Sequence, residues 1–260
     1  MMFQKKSLGQ NFLKSEKVIS DIIVASGVTS NDVVLEIGPG RGVLTRALLQ
    51  SGAKIIAIEK DDRLIPELQK KFEKEIKSGK LSLIHSDILN LDLPRAVLGN
   101  RSYKLVANIP YYITGQFLRK FLESANQPQS MTLLLQKEVA ERIVAKDGKE
   151  SLLSLSVKAF GKPKYIKTVG RGTFSPPPKV NSAILHISDI SKRNFEKVGG
   201  VFFKILHTGF AHKRKQLLPN LSSLYPKEKL TEAFEKCGLN LKIRAEDVPL
   251  KTWLKLCNIV

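Results

Sequence analysis

The chain has 260 residues, 42% of them hydrophobic, and a formal charge of +19. That length suits one large domain, or a large domain with a small companion, and the apolar share supports a sizeable core. The positive excess runs through the chain rather than sitting in a tail, which points to a polyanionic partner, because each cation that meets a phosphate releases condensed counterions. Nucleic acid fits this better than an anionic membrane surface, since no long basic amphipathic helix with an aromatic face is present.

In chain order, residues 1–14 are polar and basic and read as an arm ahead of the fold. Val18–Ser26 is helical in pattern, Val33–Ile37 a buried strand, Val43–Gln50 a helix and Lys54–Glu59 a strand. Arg63–Lys77 reads as a charged surface helix, Leu81–His85 and Lys104–Ala107 as strands, and Gly115–Ser124 as a helix. Met131–Gln136 is a strand, Lys137–Ala145 a helix, and Leu152–Phe160 and Ala183–Ile187 are β-rich. The alternation predicts an α/β, doubly wound parallel sheet over residues 1–190. Ser191–Gly200 is polar and carries a Gly-Gly pair, which suits a linker. Residues 201–260 are helical throughout and predict a small second domain.

The outer features exclude several classes. No run approaches ~18 apolar residues, and Met1-Met2-Phe3-Gln4-Lys5-Lys6 lacks an apolar signal core, so a cytoplasmic protein is expected. Cys237 and Cys257 then read as buried free thiols, although their spacing also permits a disulfide. His85, His186, His207 and His212 do not fall at metal-ligand spacing with Cys, Asp or Glu, and no structural metal is expected.

The first site motif is Val34-Leu35-Glu36-Ile37-Gly38-Pro39-Gly40-Arg41-Gly42, between a strand and a helix. Glycines there let backbone approach a ligand at the carboxyl end of the strand; the plain alternative is a tight turn. Glu59 ends the next strand, where a carboxylate can accept both hydroxyls of a ribose. A nicotinamide dehydrogenase also fits that description, but its fingerprint is G-x-G-x-x-G, and position 43 here is Val. The G-x-G-x-G spacing, with an acidic residue two places ahead, resembles class I methyltransferases. Asp87 follows the third strand and either caps a turn or accepts an adenine amino group, with Ile88 packing on the ring. The adenosine half of S-adenosylmethionine needs this set of groups.

The fourth strand ends in Asn108-Ile109-Pro110-Tyr111, which resembles the tetrapeptide of enzymes that methylate planar amino nitrogens. An aromatic amine is a poor nucleophile because its lone pair is delocalised into the ring. The Asn108 side-chain oxygen and the Ile109 carbonyl can accept its two N–H groups and aim the lone pair, while Pro110 fixes the backbone. Tyr111 can stack on the base. Phe174, ahead of Pro176-Pro177-Pro178, is either a core residue or the opposite wall of a clamp for an extruded base.

Together these residues resemble the ribosomal RNA adenine dimethyltransferase family, nearly end to end and closest to its bacterial small-subunit branch. Lys6-Ser7-Leu8-Gly9-Gln10-Asn11-Phe12-Leu13 is similar to the family's N-terminal motif. The resemblance implies that Asn11 and Leu13 contact S-adenosylmethionine, with Gly38 and Gly40 against it, Glu59 on the ribose, Asp87 and Ile88 at the adenine and Asn108 at the methyl group. It implies transfer of two methyls to each of two adjacent adenines near the 3′ end of small-subunit ribosomal RNA, late in assembly, by a monomer that binds the assembling subunit. Macrolide-resistance methyltransferases of the large subunit are the rival. Their arm usually reads Ser-Gln-Asn-Phe, whereas Gly9 precedes Gln10 here, and Phe210-Ala211-His212-Lys213-Arg214-Lys215-Gln216-Leu217 resembles a small-subunit element. Lys213, Arg214 and Lys215, read as helical, are either a solvated face or phosphate contacts; the total charge favours phosphate. Residues 1–190 are thus expected to bind the cofactor and carry the chemistry, and 191–260 to bind RNA or ribosome.

Overall fold

The computed structural model describes residues 11–91, 98, 102–212 and 214–260. The strands are β1 (Phe12–Leu13), β2 (Val33–Ile37), β3 (Lys54–Glu59), β4 (Leu81–His85), β5 (Lys104–Asn108), β6 (Ser130–Gln136), β7 (Lys162–Val169), β8 (Phe174–Ser175) and β9 (Ser182–Ser188). Among the described residues seven of them form one sheet, in the order β4-β3-β2-β5-β6-β9-β7. The runs Val33-Val34-Leu35 and Ile55-Ile56-Ala57-Ile58 are apolar on both faces because helices cover a parallel sheet on both sides. β4, β3, β2, β5 and β6 run parallel to one another. β9 runs antiparallel to β6, from Met131 opposite Ile187 to Gln136 opposite Ser182, so the sheet is mixed at that side rather than wholly parallel.

β2 has β3 on one side and β5 on the other, and the strand order reverses there. Such a switch point leaves a crevice at the carboxyl ends of the two strands. The helix Glu16–Ser26 begins at Ser15, whose hydroxyl accepts the Val18 N–H at 3.4 Å, and ends at Gly27 in the left-handed conformation. Its Val18, Ile19 and Ile22 join Leu44, Leu48, Leu68, Phe72 and Phe174 in a core on the sheet. The charged stretch expected as one helix is two, Ile65–Lys71 and Glu73–Lys77, broken at Phe72.

The chain divides into two compact units, and the second departs from the expected boundary. Residues up to Ala140 with Lys164–Ile190 form the first, while Glu141–Pro163 belongs with Ser191–Val260. The cause is a second difference: Leu152–Phe160 is helical, not β-rich. Ser151 and Ser154 cap it reciprocally, and Leu155 and Ala159, one turn apart, pack with Phe202, Leu206, Phe234 and Trp253. An aliphatic run with serine at alternate places fits either period, and burial of one helical face decided it. β7, which the sequence reading did not separate out, follows that helix. Among the described residues no helix is long and apolar enough to cross a membrane.

Candidate active site

Three glycines turn the chain at the end of β2. Gly38, Gly40 and Gly42 have φ of 70°, 57° and 71°. Their reasons differ. A Cβ at Gly42 would lie 2.4 Å from the Phe72 ring, so Gly42 serves the packing of the helix Val43–Gln50. A Cβ at Gly40 would meet the Phe12 ring at 3.0 Å, because the arm folds over the loop and Arg41 sits 5.0 Å above that ring. The Gly38 N–H is held by the Ile58 carbonyl at 2.9 Å.

Glu59 ties the strand ends together. One carboxylate oxygen accepts the Gly40 N–H at 3.0 Å and the other the Asp61 N–H at 2.8 Å. Burial raises its pKa and these N–H groups pull it back. Asp87 accepts the Leu89 N–H at 3.0 Å and pairs with Lys60 at 2.8 Å. Burial is the largest influence and opposes its charge, but the Lys60 ammonium, the Leu89 N–H and the Lys120 charge together hold the carboxyl below its usual value.

The reacting end is set by an unexpected contact. The Asn108 side-chain N–H donates to the Asn11 carbonyl at 3.2 Å, across 97 positions of chain. Only an N–H can face a carbonyl, so the amide oxygen of Asn108 is left as the acceptor on its other side. The arm is held in place by β1 pairing with β8, Phe12 opposite Ser175 and Leu13 opposite Phe174. The Tyr111 hydroxyl bonds the Ser182 hydroxyl at 2.7 Å and fixes that ring, and burial raises its pKa.

Most of these groups line one cleft of about 150 Å³, open to solvent. Asn11, Gly38, Gly40, Glu59, Asp87, Ile88, Asn108, Pro110, Tyr111 and Phe174 all border it. Phe174 is 2% exposed and packed in the core, and it also borders the cleft. Leu13 sits differently. It packs in the core and is not among the cleft-lining residues, because β-pairing puts it back to back with Phe12, and Phe12 borders the cleft instead. Lys60, Phe12, Tyr112 and Ser182 were missed; Lys60 had a signal, as a cation directly after Glu59 facing the next strand end. Lys6–Gln10 and Lys213 lie outside the described residues. Arg214 and Lys215 are exposed, in a turn between the helices Val201–Gly209 and Leu217–Leu221 and not on a helix as expected. The buried Asn220 amide holds that turn, donating to the carbonyls of Gly209 at 2.7 Å and His212 at 3.3 Å.

Glu36 is the penultimate residue of β2, fully buried, with neither carboxyl oxygen partnered among the described residues. Burial pushes its carboxyl up to about 8, the Thr45 hydroxyl opposing and the Glu59 charge adding. The folded state therefore keeps this proton to about pH 8, while the unfolded chain releases it near the ordinary carboxyl value of 4.5. Stability falls as pH rises through that window. Urea denaturation at pH 5 and pH 8 is expected to show wild type losing on the order of 1–3 kcal/mol more than Glu36→Gln, which carries no proton to lose. Equal losses would show that Glu36 is ionised in the fold.

The cleft fits the adenosine part of S-adenosylmethionine: a buried carboxylate on bound N–H groups, a second carboxylate at the next strand end, an apolar Ile88 wall and close backbone at Gly38 and Gly40. The family model for ribosomal RNA adenine dimethylase matches residues 1–260. A ribosomal RNA small subunit methyltransferase A from Dehalococcoides mccartyi is 43% identical over 97% of this chain and 87% of its own length. One from Fusobacterium nucleatum is 37% identical over 98% and 97%. A dimethyladenosine transferase from Plasmodium falciparum superposes with a TM-score of 0.81 at 28% identity, covering 94% of this chain and 95% of that one. The 23S rRNA methyltransferase ErmE gives 0.77 at 25%, covering 95% and 98%. The chain belongs to the ribosomal RNA adenine dimethylase family, enzymes that draw their methyl groups from S-adenosylmethionine.

Proposed function

We propose that this chain transfers two methyls to the exocyclic amino group of each of two adjacent adenines near the 3′ end of small-subunit ribosomal RNA, late in assembly of the subunit. The observation that carries the chemistry is the Asn108 amide, turned by the Asn11 carbonyl so that its oxygen remains to accept an amine. S-adenosylmethionine, when bound, would supply a sulfonium methyl that the adenine amino nitrogen attacks, the sulfur leaving with the bonding pair and the nitrogen shedding a proton to water. Asn108 and the Ile109 carbonyl accept the amine N–H groups and aim its lone pair. Tyr111, fixed through Ser182, and Phe174 hold the base. Glu59 holds the ribose, and Asp87 with Ile88 the cofactor's adenine. No general base is required, so positioning is the main contribution of these residues.

The helical unit would position the RNA through Lys213, Arg214 and Lys215, by phosphate contacts that carry no sequence information. The enzyme acts as a monomer in the cytoplasm and needs no metal. Identity of 43% with a small-subunit enzyme against 25% with ErmE favours the small subunit over the large. Labelled S-adenosylmethionine offered with undermethylated small subunits, large-subunit RNA and naked small-subunit RNA is expected to yield dimethyladenosine in the subunits. Label in large-subunit RNA would favour the resistance-type reading, and no transfer at all would remove both.

A further inference from the structure

Tyr111 and Tyr112 are adjacent in the chain but do different things. The 3-10 turn Tyr111–Ile113 sends the first ring inward, where Ser182 holds it, and leaves the second 62% exposed at the cleft border. Among the described residues nothing covers this ring, which stands beside the cleft with its face free to stack. The same face continues along the helix Thr114–Leu122. Tyr112, Gln116 and Lys120 are spaced by four and Arg119 lies beside Lys120, while Phe117, Leu118, Phe121 and Leu122 are buried opposite. Gln116, Arg119 and Lys120 line a second, shallow groove with Leu89, Asn90, Glu123 and Ser124. Leu89 borders both the groove and the cleft, so the two lie on either side of one residue.

The polar groups of the groove are arranged for an anion. Lys120 donates to the Leu89 carbonyl at 3.3 Å and anchors the groove wall. Glu123 takes one guanidinium N–H of Arg119 at 3.1 Å. A guanidinium has five N–H groups, and the Arg119 side chain is 78% exposed.

Resting on the function proposed above, we propose that Tyr112 and this groove bind the nucleotide next to the adenine in the cleft. The Tyr112 ring stacks on the neighbouring base, and Gln116 and Arg119 contact its backbone. A base drawn out of its stack leaves the adjoining base without a partner, and an aromatic ring restores that stacking without reading sequence. The partner is single-stranded RNA, since ring and guanidinium together suit a base followed by a phosphate.

The test is steady-state methylation of undermethylated small subunits by the full chain at several salt concentrations. Tyr112→Ala is expected to raise KM for subunits about tenfold, a stacking loss of about 1.4 kcal/mol, with kcat changed less than about threefold and S-adenosylmethionine affinity by calorimetry retained. Tyr112→Phe, which keeps the ring, should restore KM to within about twofold. Arg119→Gln should reduce the slope of log KM against log salt by about 0.7, one phosphate on a single strand. A wild-type KM in Tyr112→Ala, a Tyr112→Phe as impaired as the alanine variant, or an unchanged salt slope in Arg119→Gln overturns the groove while leaving the enzyme assignment standing. A wild type that methylates no small subunit overturns both.

Discussion

Asn108→Ala is expected to lower kcat for methyl transfer by about 10²–10³-fold while S-adenosylmethionine still binds. Removing one preorganised hydrogen-bonding group at a reacting centre has effects of this size. The contact with Asn11 sharpens the expectation. Asn108→Asp keeps an acceptor toward the amine but sets a carboxylate oxygen against the Asn11 carbonyl. It is expected to lose most of the activity too, although its side chain has the right size and reach. Single-turnover rates with saturating subunits, beside calorimetric cofactor affinity, separate the chemical step from binding. An Asn108→Asp enzyme with the wild-type rate would show that the arm does not orient this amide.

The largest loss of stability is expected at Gly42. Its φ of 71° disfavours any side chain, and a Cβ there would stand 2.4 Å from the Phe72 ring and 3.0 Å from Leu68. Backbone strain of about 1–2 kcal/mol and overpacking of about 1–3 kcal/mol put Gly42→Ala near 2–5 kcal/mol. The two parts can be separated. Phe72→Ala opens the space but leaves the strain, so the double variant should be more stable than the sum of the single losses predicts. Additive losses in urea denaturation would remove the steric part. At Gly40 the neighbour is the Phe12 ring of the arm, so a substitution there should disturb arm closure more than folding.

The elements that could be read in advance are those whose cause is local. β2 and β3 are apolar runs bounded by turn residues, and Gly38, Gly40, Glu59, Asp87 and Asn108 all follow strand ends. In an alternating β/α chain those ends converge, so spacing alone brought the groups together. Leu152–Phe160 was misread because its pattern suits both periods, and only the partners of Leu155 and Ala159 decide between them. The basic segment around Arg214 was misread as helix, whereas the Asn220 amide holds it as a turn.

The sequence by itself thus determined the layered α/β fold, the glycine turn, the two carboxylates and the Asn-Ile-Pro-Tyr strand end, because each depends on residues a few places apart or on one strand–helix alternation. The tertiary structure alone decided which way the Asn108 amide points, that Phe12 rather than Leu13 borders the cleft, that Lys60 holds Asp87 ionised, and that Tyr112 is left outside as Tyr111 turns in. Each of those rests on a partner brought from another strand end or from the arm, and period and propensity do not record which distant group a side chain will meet.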